Sequence, residues 1–141
     1  MATLFTRIID GELPGRFVWR DDRCVAFLSI HPLKPGHTLV VPRREVDHWI
    51  DLEPALAQHL MSVSQAIGKA LQQGFTPTKV GVMIAGLEVP HCHIHLVPIS
   101  DLHDLDFANQ ELTPDAAALD RAAVTIRGAL RSLGYREVAD G

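Results

Sequence analysis

The residues best able to do chemistry in this chain are His91, His93 and His95. They stand at every second position of Pro90-His91-Cys92-His93-Ile94-His95-Leu96-Val97-Pro98, with Cys92, Ile94 and Leu96 between them. Successive side chains of a β-strand point to opposite faces, so a strand here sends all three imidazoles one way and the apolar set the other way, into a core. A helix would scatter the same side chains through about 400° of arc, at about 100° per residue, and form no common site. The spacing predicts a strand. Three uses for such a row compete. One is a polar, solvent-facing sheet edge. The second is a metal site, since imidazole ligates zinc, copper, iron and nickel. His91 and His95 would lie about 13 Å apart at their Cα atoms, so a His-x-His pair would need His37 or a carboxylate as its distant ligand. The third is covalent catalysis, with one imidazole attacking while its neighbours orient it and handle protons.

These side chains need a scaffold, and 141 residues suffice for one well-buried domain, 1–141. The chain is 47% hydrophobic, its mean hydropathy is +0.10 and its net charge is -4. That charge argues against coating nucleic acid or an anionic membrane. No apolar run approaches about 18 residues, so no membrane span is expected. The start of the chain lacks the features of a signal peptide, and Cys24 and Cys92 read as buried free thiols. The cytoplasm is the expected compartment.

Leu4, Phe5, Ile8, Ile9 and Leu13 suggest a short helical turn that breaks at Pro14-Gly15. Residues 17–20 and 24–30 around Asp21-Asp22 read as a β-hairpin. The His31–Gly36 stretch holds two prolines and forms a rigid loop, followed by a strand from His37 to Pro42 with His37 at its mouth. Leu52, Leu56, Leu60, Val63, Ile67 and Leu71 predict a helix over 51–73, with Asp51 as N-cap, Pro54 in the first turn and Gly74 at C′. Met61 is assigned to the core, and His48, Trp49 and His59 are left structural. Residues 80–86 read as a buried strand feeding the turn Gly86-Leu87-Glu88-Val89-Pro90. An acidic, irregular stretch from Ser100 to Leu112 precedes a second helix, with Thr113 as N-cap, Pro114 at N1 and Gly134 beyond its end.

The histidine row resembles the His-φ-His-φ-His-φ-φ signature of the histidine triad (HIT) superfamily of nucleotide hydrolases and transferases. Three further stretches resemble that family in the same order: Phe5–Pro14, Asp21–Leu28 and Pro35–Arg43, the last similar to its Pro-Gly-His-x-Leu-Val-x-Pro-Lys segment. Together they cover roughly residues 4–100, leaving the acidic stretch and helix of 101–141 outside the resemblance. It implies an α+β fold: an antiparallel sheet of about five strands, a long helix packed on it and a C-terminal helix. It also implies a two-fold homodimer, which would protect an exposed edge strand.

By the same resemblance, His93 is the nucleophile toward a nucleoside-phosphate-X substrate. His95 and His37 orient the site and shuttle protons, and His91 bonds backbone. Phe5, Ile8, Leu13, Phe27 and Ile30 flank a purine nucleoside. Ser29 falls where relatives often carry a ribose-binding Asp. Gly86 and Glu88 lie in the turn that meets the phosphate or leaving group. There the chain departs from phosphoramidase relatives, whose Gly-Gln-Ser or Gly-Gln-Thr is replaced by Gly86-Leu87-Glu88, and their upstream Asn has no evident counterpart. Some relatives carry a zinc-binding Cys-x-x-Cys near the start. Leu4-Phe5-Thr6-Arg7 stands in its place, so neither that zinc nor any other cofactor is expected. The third histidine favours hydrolysis over the transferase branch, which has Gln there. The implied activity is cleavage of nucleoside 5′-phosphoramidates through a nucleotidyl-His93 intermediate. Alternatives are a dinucleoside polyphosphate hydrolase, or a nucleotide-binding protein with little catalysis.

Overall fold

A computed structural model describes residues 1–140. Helix α1 (Leu4–Ile9) leads into strands β1 (Phe17–Arg20), β2 (Cys24–Leu28) and β3 (Thr38–Pro42). Helix α2 (Pro54–Phe75) follows, then β4 (Lys79–Met83), β5 (Ile94–Ile99) and α3 (Ala116–Ser132). The five strands form one antiparallel sheet in the order β1-β2-β3-β5-β4. The architecture is the expected α+β one.

Alternation divides the sheet into two faces. Cys24, Ala26, Leu28, Val40, Ile94 and Leu96 pack with Leu60, Val63, Ile67 and Leu71 of α2 and with Ile126 and Leu130 of α3. Burying each such aliphatic side chain is worth about 1.5–3 kcal/mol, so this face carries most of the stability. Val25, Phe27, Leu39 and Val41 point the other way and gather with Phe17 and with Phe5 of α1. The histidines belong to this second face. The outer edge of β1 is covered by the C-terminal stretch, with a Trp19–Val138 bridge and the Ala139 amide on the Val18 carbonyl. β4 pairs with β5 along one side, and its exposed Val82 lies at the other end of the sheet order.

Several boundaries differ from the sequence expectation, each for a physical reason. Helix α2 begins at Pro54 rather than after Asp51, because a residue preceding proline is pushed out of the helical region; Glu53 is extended with ψ 137° and serves as N-cap. Asp51 lies in a 3₁₀ turn, Trp49–Asp51. Gly74 is inside the helix, and Thr76, with φ 47°, is the left-handed cap. Gly74 serves the helix pair instead, since a Cβ there would stand 2.7 Å from Thr125 Cγ2 of α3. Asp115, not Thr113, caps α3, its carboxylate accepting the Ala117 amide at 3.2 Å. Met61 is 50% exposed rather than part of the core.

His59 also has a partner that the sequence did not disclose. Its Nε2–H donates to Asp21 Oδ2 at 2.7 Å, tying α2 to the β1–β2 turn. Burial works to raise the Asp21 carboxyl pKa, but hydrogen bonds from Trp19 Nε1, the Arg23 and Cys24 amides and His59 hold it well below the usual carboxylate range. Burial and the neighbouring Asp21 carboxylate push the Cys24 thiol up, keeping it protonated. His59→Ala should cost about 1–2 kcal/mol in urea unfolding and leave the cleft unchanged. An unchanged midpoint would show that the pair contributes nothing.

Candidate active site

The first half of the triad segment lies outside the sheet and is held by backbone and side-chain bonds of its own, whereas His95 sits in the ladder. The β3–β5 ladder pairs Thr38 with Leu96, Leu39 with His95 and Val40 with Ile94, and β5 starts only at Ile94. The predicted strand therefore begins after His93, and His91, Cys92 and His93 lie outside it. In place of ladder bonds, the Cys92 amide donates to the Val46 carbonyl at 2.7 Å and the His91 amide to the Val89 carbonyl at 2.8 Å. The solvent-edge reading fails, because His91, His93 and His95 are 0%, 5% and 8% exposed. Cys92, Ile94 and Leu96 are buried as well, as expected.

The hydrogen-bond partners assign a tautomer to every ring. His91 Nε2 lies 2.7 Å from the Pro42 carbonyl, which can only accept, so Nε2 carries the proton. His93 Nδ1 lies 2.8 Å from the His91 carbonyl, so there Nδ1 carries it and Nε2 keeps its lone pair. Leu33 donates its amide to His37 Nδ1 at 3.0 Å, which puts the His37 proton on Nε2. That proton is donated to His95 Nδ1 at 2.9 Å, leaving His95 with its own proton on Nε2. The outcome is asymmetric. His93 offers a lone pair and its neighbour His95, 4.8 Å away between ring centroids, offers a proton.

This assignment requires neutral rings, and burial supplies that condition. Burial, reinforced by the charge His93 would carry, lowers the His37 pKa to about 4. Burial, then His37 and His93, lowers that of His95 to about 3. Burial also lowers His93, partly opposed by the bond to the His91 carbonyl and by Glu88, and it lowers His91 against the pull of Pro42 and Glu45. A neutral imidazole is the nucleophilic form.

His93 and His95 open onto a cleft of about 400 Å³. Phe5, Ile8, Leu13, Phe27, Ser29, Ile30 and Glu88, all singled out from the sequence, line it. Gly86 is not among the lining residues; it turns the chain with φ 79° near the Asp47 carbonyl. His37 and His91 stand behind the cleft, supporting His95 and His93. Glu88 is exposed at the rim and is the one charged side chain among the described lining residues.

Sequence reasoning missed Phe107 and Gln110. The acidic stretch folds back over the site, with the Phe107 ring edge-on to His95 at 5.2 Å and Gln110 on the cleft wall. The Glu111 amide on the Pro32 carbonyl and Lys34 on Asp104 hold it there. Gly15 was likewise read only as a break. A Cβ there would come within 2.7 Å of Ile8 Cγ2, so glycine lets the Leu13–Gly15 turn close one side of the cleft.

Comparison with known proteins agrees with this geometry. The HIT domain model matches residues 10–102. An uncharacterized HIT-like protein of Methanocaldococcus jannaschii is 32% identical over 99 residues, covering 67% of this chain and 77% of that protein. Adenylylsulfatase HINT3 of Arabidopsis thaliana is 26% identical over 133 residues, covering 91% of this chain and 67% of that protein. Among solved structures, a zinc-bound histidine triad family protein of Mycobacterium smegmatis superposes with TM-score 0.81 at 27% identity, covering 94% of this chain and 96% of that one. A HIT-like protein of Bartonella henselae gives 0.77 at 29% identity, covering 90% and 95%. The chain thus belongs to the HIT domain family.

Proposed function

We propose that this protein hydrolyses nucleoside 5′-phosphoramidates and related nucleoside-phosphate-X bonds, through a nucleotidyl intermediate on His93. The observation that carries the reading is the opposed pair of tautomers, a bare Nε2 on His93 beside a protonated Nε2 on His95. His93 Nε2 attacks the α-phosphorus as the bond from phosphorus to X breaks. His95 Nε2 gives its proton to the departing amine nitrogen and is left as an imidazolate, held by the His37 Nε2–H bond to its Nδ1 and by the cationic His93 ring beside it. As the His93 ring becomes cationic, its Nδ1–H bond to the His91 carbonyl strengthens, which favours the transition state over the ground state. Water then attacks the phosphorus, His95 takes the water's proton, and His93 departs with its lone pair restored. The nucleoside monophosphate and the amine are the products.

The apolar cleft between Phe5, Ile8, Phe27 and Ile30 suits a planar purine base, and the hydroxyl of Ser29 suits a ribose. Glu88 at the rim favours an amine as X over a sulfate or a polyphosphate, whose charge it would oppose. Incubation with adenosine 5′-phosphoramidate, followed by chromatography for the monophosphate, tests the activity; binding without release would point to a binding protein. We assign this activity to the cytoplasm, where Cys24 and Cys92 would persist as free thiols.

The reading carries a pH dependence. Attack needs neutral His93, whose pKa lies below the ordinary histidine value, so kcat/KM should be level above pH 6.5 and fall only in more acid solution. Stability has the same sign. His37 titrates near 6.5 in the unfolded chain and at about 4 in the fold, so the folded state binds fewer protons between those values. Stability present above pH 6.5 should therefore drain away as pH falls toward 4. Denaturation midpoints flat across that window would refute the neutral, buried relay.

The same reading includes a homodimer. Its support is the position of β4 at the end of the sheet, beside a groove shared with α2 in which Met61, Gly68 and Val82 are lining residues. A second copy with the same edge would pair strand to strand. Light scattering during gel filtration should give twice the chain mass, shifted toward the monomer by Val82→Lys; a monomeric parent protein would remove this part.

A further inference from the structure

The His91 ring is fully buried, and both its nitrogens are engaged, Nε2 on the Pro42 carbonyl and Nδ1 on Thr3 Oγ1, each at 2.7 Å. Since Nε2 carries the proton, Nδ1 accepts, and the Thr3 hydroxyl is the donor. The surroundings agree on where that hydrogen goes. The Thr6 hydroxyl spends its own proton on Glu45 Oε1 at 2.6 Å. Thr3 Oγ1 accepts the Thr6 amide at 3.1 Å, and the Thr3 amide donates to Glu45 Oε1 at 2.8 Å. Thr6 Oγ1 is a poorer target for the Thr3 hydroxyl at 3.2 Å than His91 Nδ1 at 2.7 Å. A carboxylate and a helix start thus aim one hydroxyl at one imidazole.

The consequence runs through the backbone. His91 lies outside the β5 ladder, so the peptide that follows it is held from two sides, by the Cys92 amide on the Val46 carbonyl at 2.7 Å and by the bonds of the His91 ring. The carbonyl of that peptide is the group that holds the His93 proton on Nδ1. Thr3 is also the N-cap of α1, whose Phe5 lines the cleft and packs edge-on to His93 at 4.8 Å and to His91 at 5.8 Å.

We propose that Thr3 is a positioning residue for the nucleophile: its hydroxyl holds the His91 ring, and through the His91 carbonyl it keeps the lone pair of His93 on Nε2. The proposal rests on His93 being the attacking group. Without the hydroxyl, a buried acceptor on His91 loses its partner, the ring shifts to find another, and a fraction of His93 moves its proton to Nε2, where it can no longer attack.

The test compares Thr3→Val with Thr3→Ser in the full chain. The single-turnover rate with adenosine 5′-phosphoramidate is measured together with the nitrogen-15 signals of the histidine rings. Valine should slow the formation of the His93 adduct by about tenfold with KM within about twofold, and serine should restore the rate. The His93 signals should leave the pure Nδ1–H pattern in the valine variant and return to it in the serine variant. A merely structural role would lower the melting temperature and leave the His93 signals alone. A valine variant with the parent rate and the parent His93 signals overturns the proposal. Should that variant not fold, the parent spectrum decides, because a proton on His91 Nδ1 would be equally fatal. A parent protein that forms no adduct would sink the proposed hydrolysis, while the His93 ring signals would still report on the positioning.

Discussion

Alanine at His93 should reduce turnover of a nucleoside 5′-phosphoramidate by on the order of 10⁴-fold or more, the scale on which removal of a covalent nucleophile acts. The size follows from the arrangement. Within the triad, His93 is the ring that presents a lone pair to the cleft, because the His91 carbonyl holds its other nitrogen protonated, and His95 points a proton into the same space. No neighbour can take over the attack without rearranging the relay. The fold should survive, since His93 contributes a ring contact with Phe5 rather than a place among the aliphatic side chains under α2. Circular dichroism and nucleotide binding, both retained, would separate lost chemistry from lost structure. A folded variant with more than about a tenth of the parent turnover would remove His93 from the mechanism.

His95→Ala should produce the second largest effect, and its size should depend on the leaving group. An alkylamine cannot depart from phosphorus as an anion and needs a proton, so its release should slow by about 10²–10⁴-fold. A nitrophenolate leaves without one, and the same variant should handle a nitrophenyl nucleotide ester within about tenfold of the parent. A uniform loss on both substrates would instead assign His95 to binding or packing. His37 acts one step behind. It keeps His95 in its proton-donating form through the 2.9 Å bond, itself fixed by the Leu33 amide from the proline-rich loop. That loop was legible as rigid from Pro32 and Pro35; its amide cradling His37 was not.

The limits of the sequence follow from what kind of information each feature needs. Five strands and two long helices were readable because apolar runs, alternation and helical spacing are local properties, as in the all-apolar β2 and the buried row of α2; the strand read as buried over 80–86 is instead β4, Lys79–Met83, an edge strand with only Gly81 buried. The helix starts moved because proline and two competing caps, Thr113 and Asp115, leave several choices that differ little in free energy. His91 was expected in the strand. Instead its side chain takes the Pro42 carbonyl and the ladder begins only three residues later, at Ile94, a contest between side-chain and backbone bonds that no pattern encodes. His59 with Asp21, Phe107 with His95, and Thr3 with His91 are contacts across 38, 12 and 88 positions, which spacing cannot reveal. The apolar cleft residues were found through the family resemblance rather than their periodicity, and only the fold shows that Glu88 stands at its rim.

The most direct test of the central claim is to mix the protein with an adenosine 5′-phosphoramidate, quench without acid during turnover, and map the peptides by mass. The account predicts a nucleoside monophosphate adduct on His93, formed faster than it disappears when water attack is slowed. Turnover with solvent oxygen-18 incorporated into the product, but no adduct on His93 at any time, would mean that water attacks the phosphorus directly and that His93 is not the nucleophile.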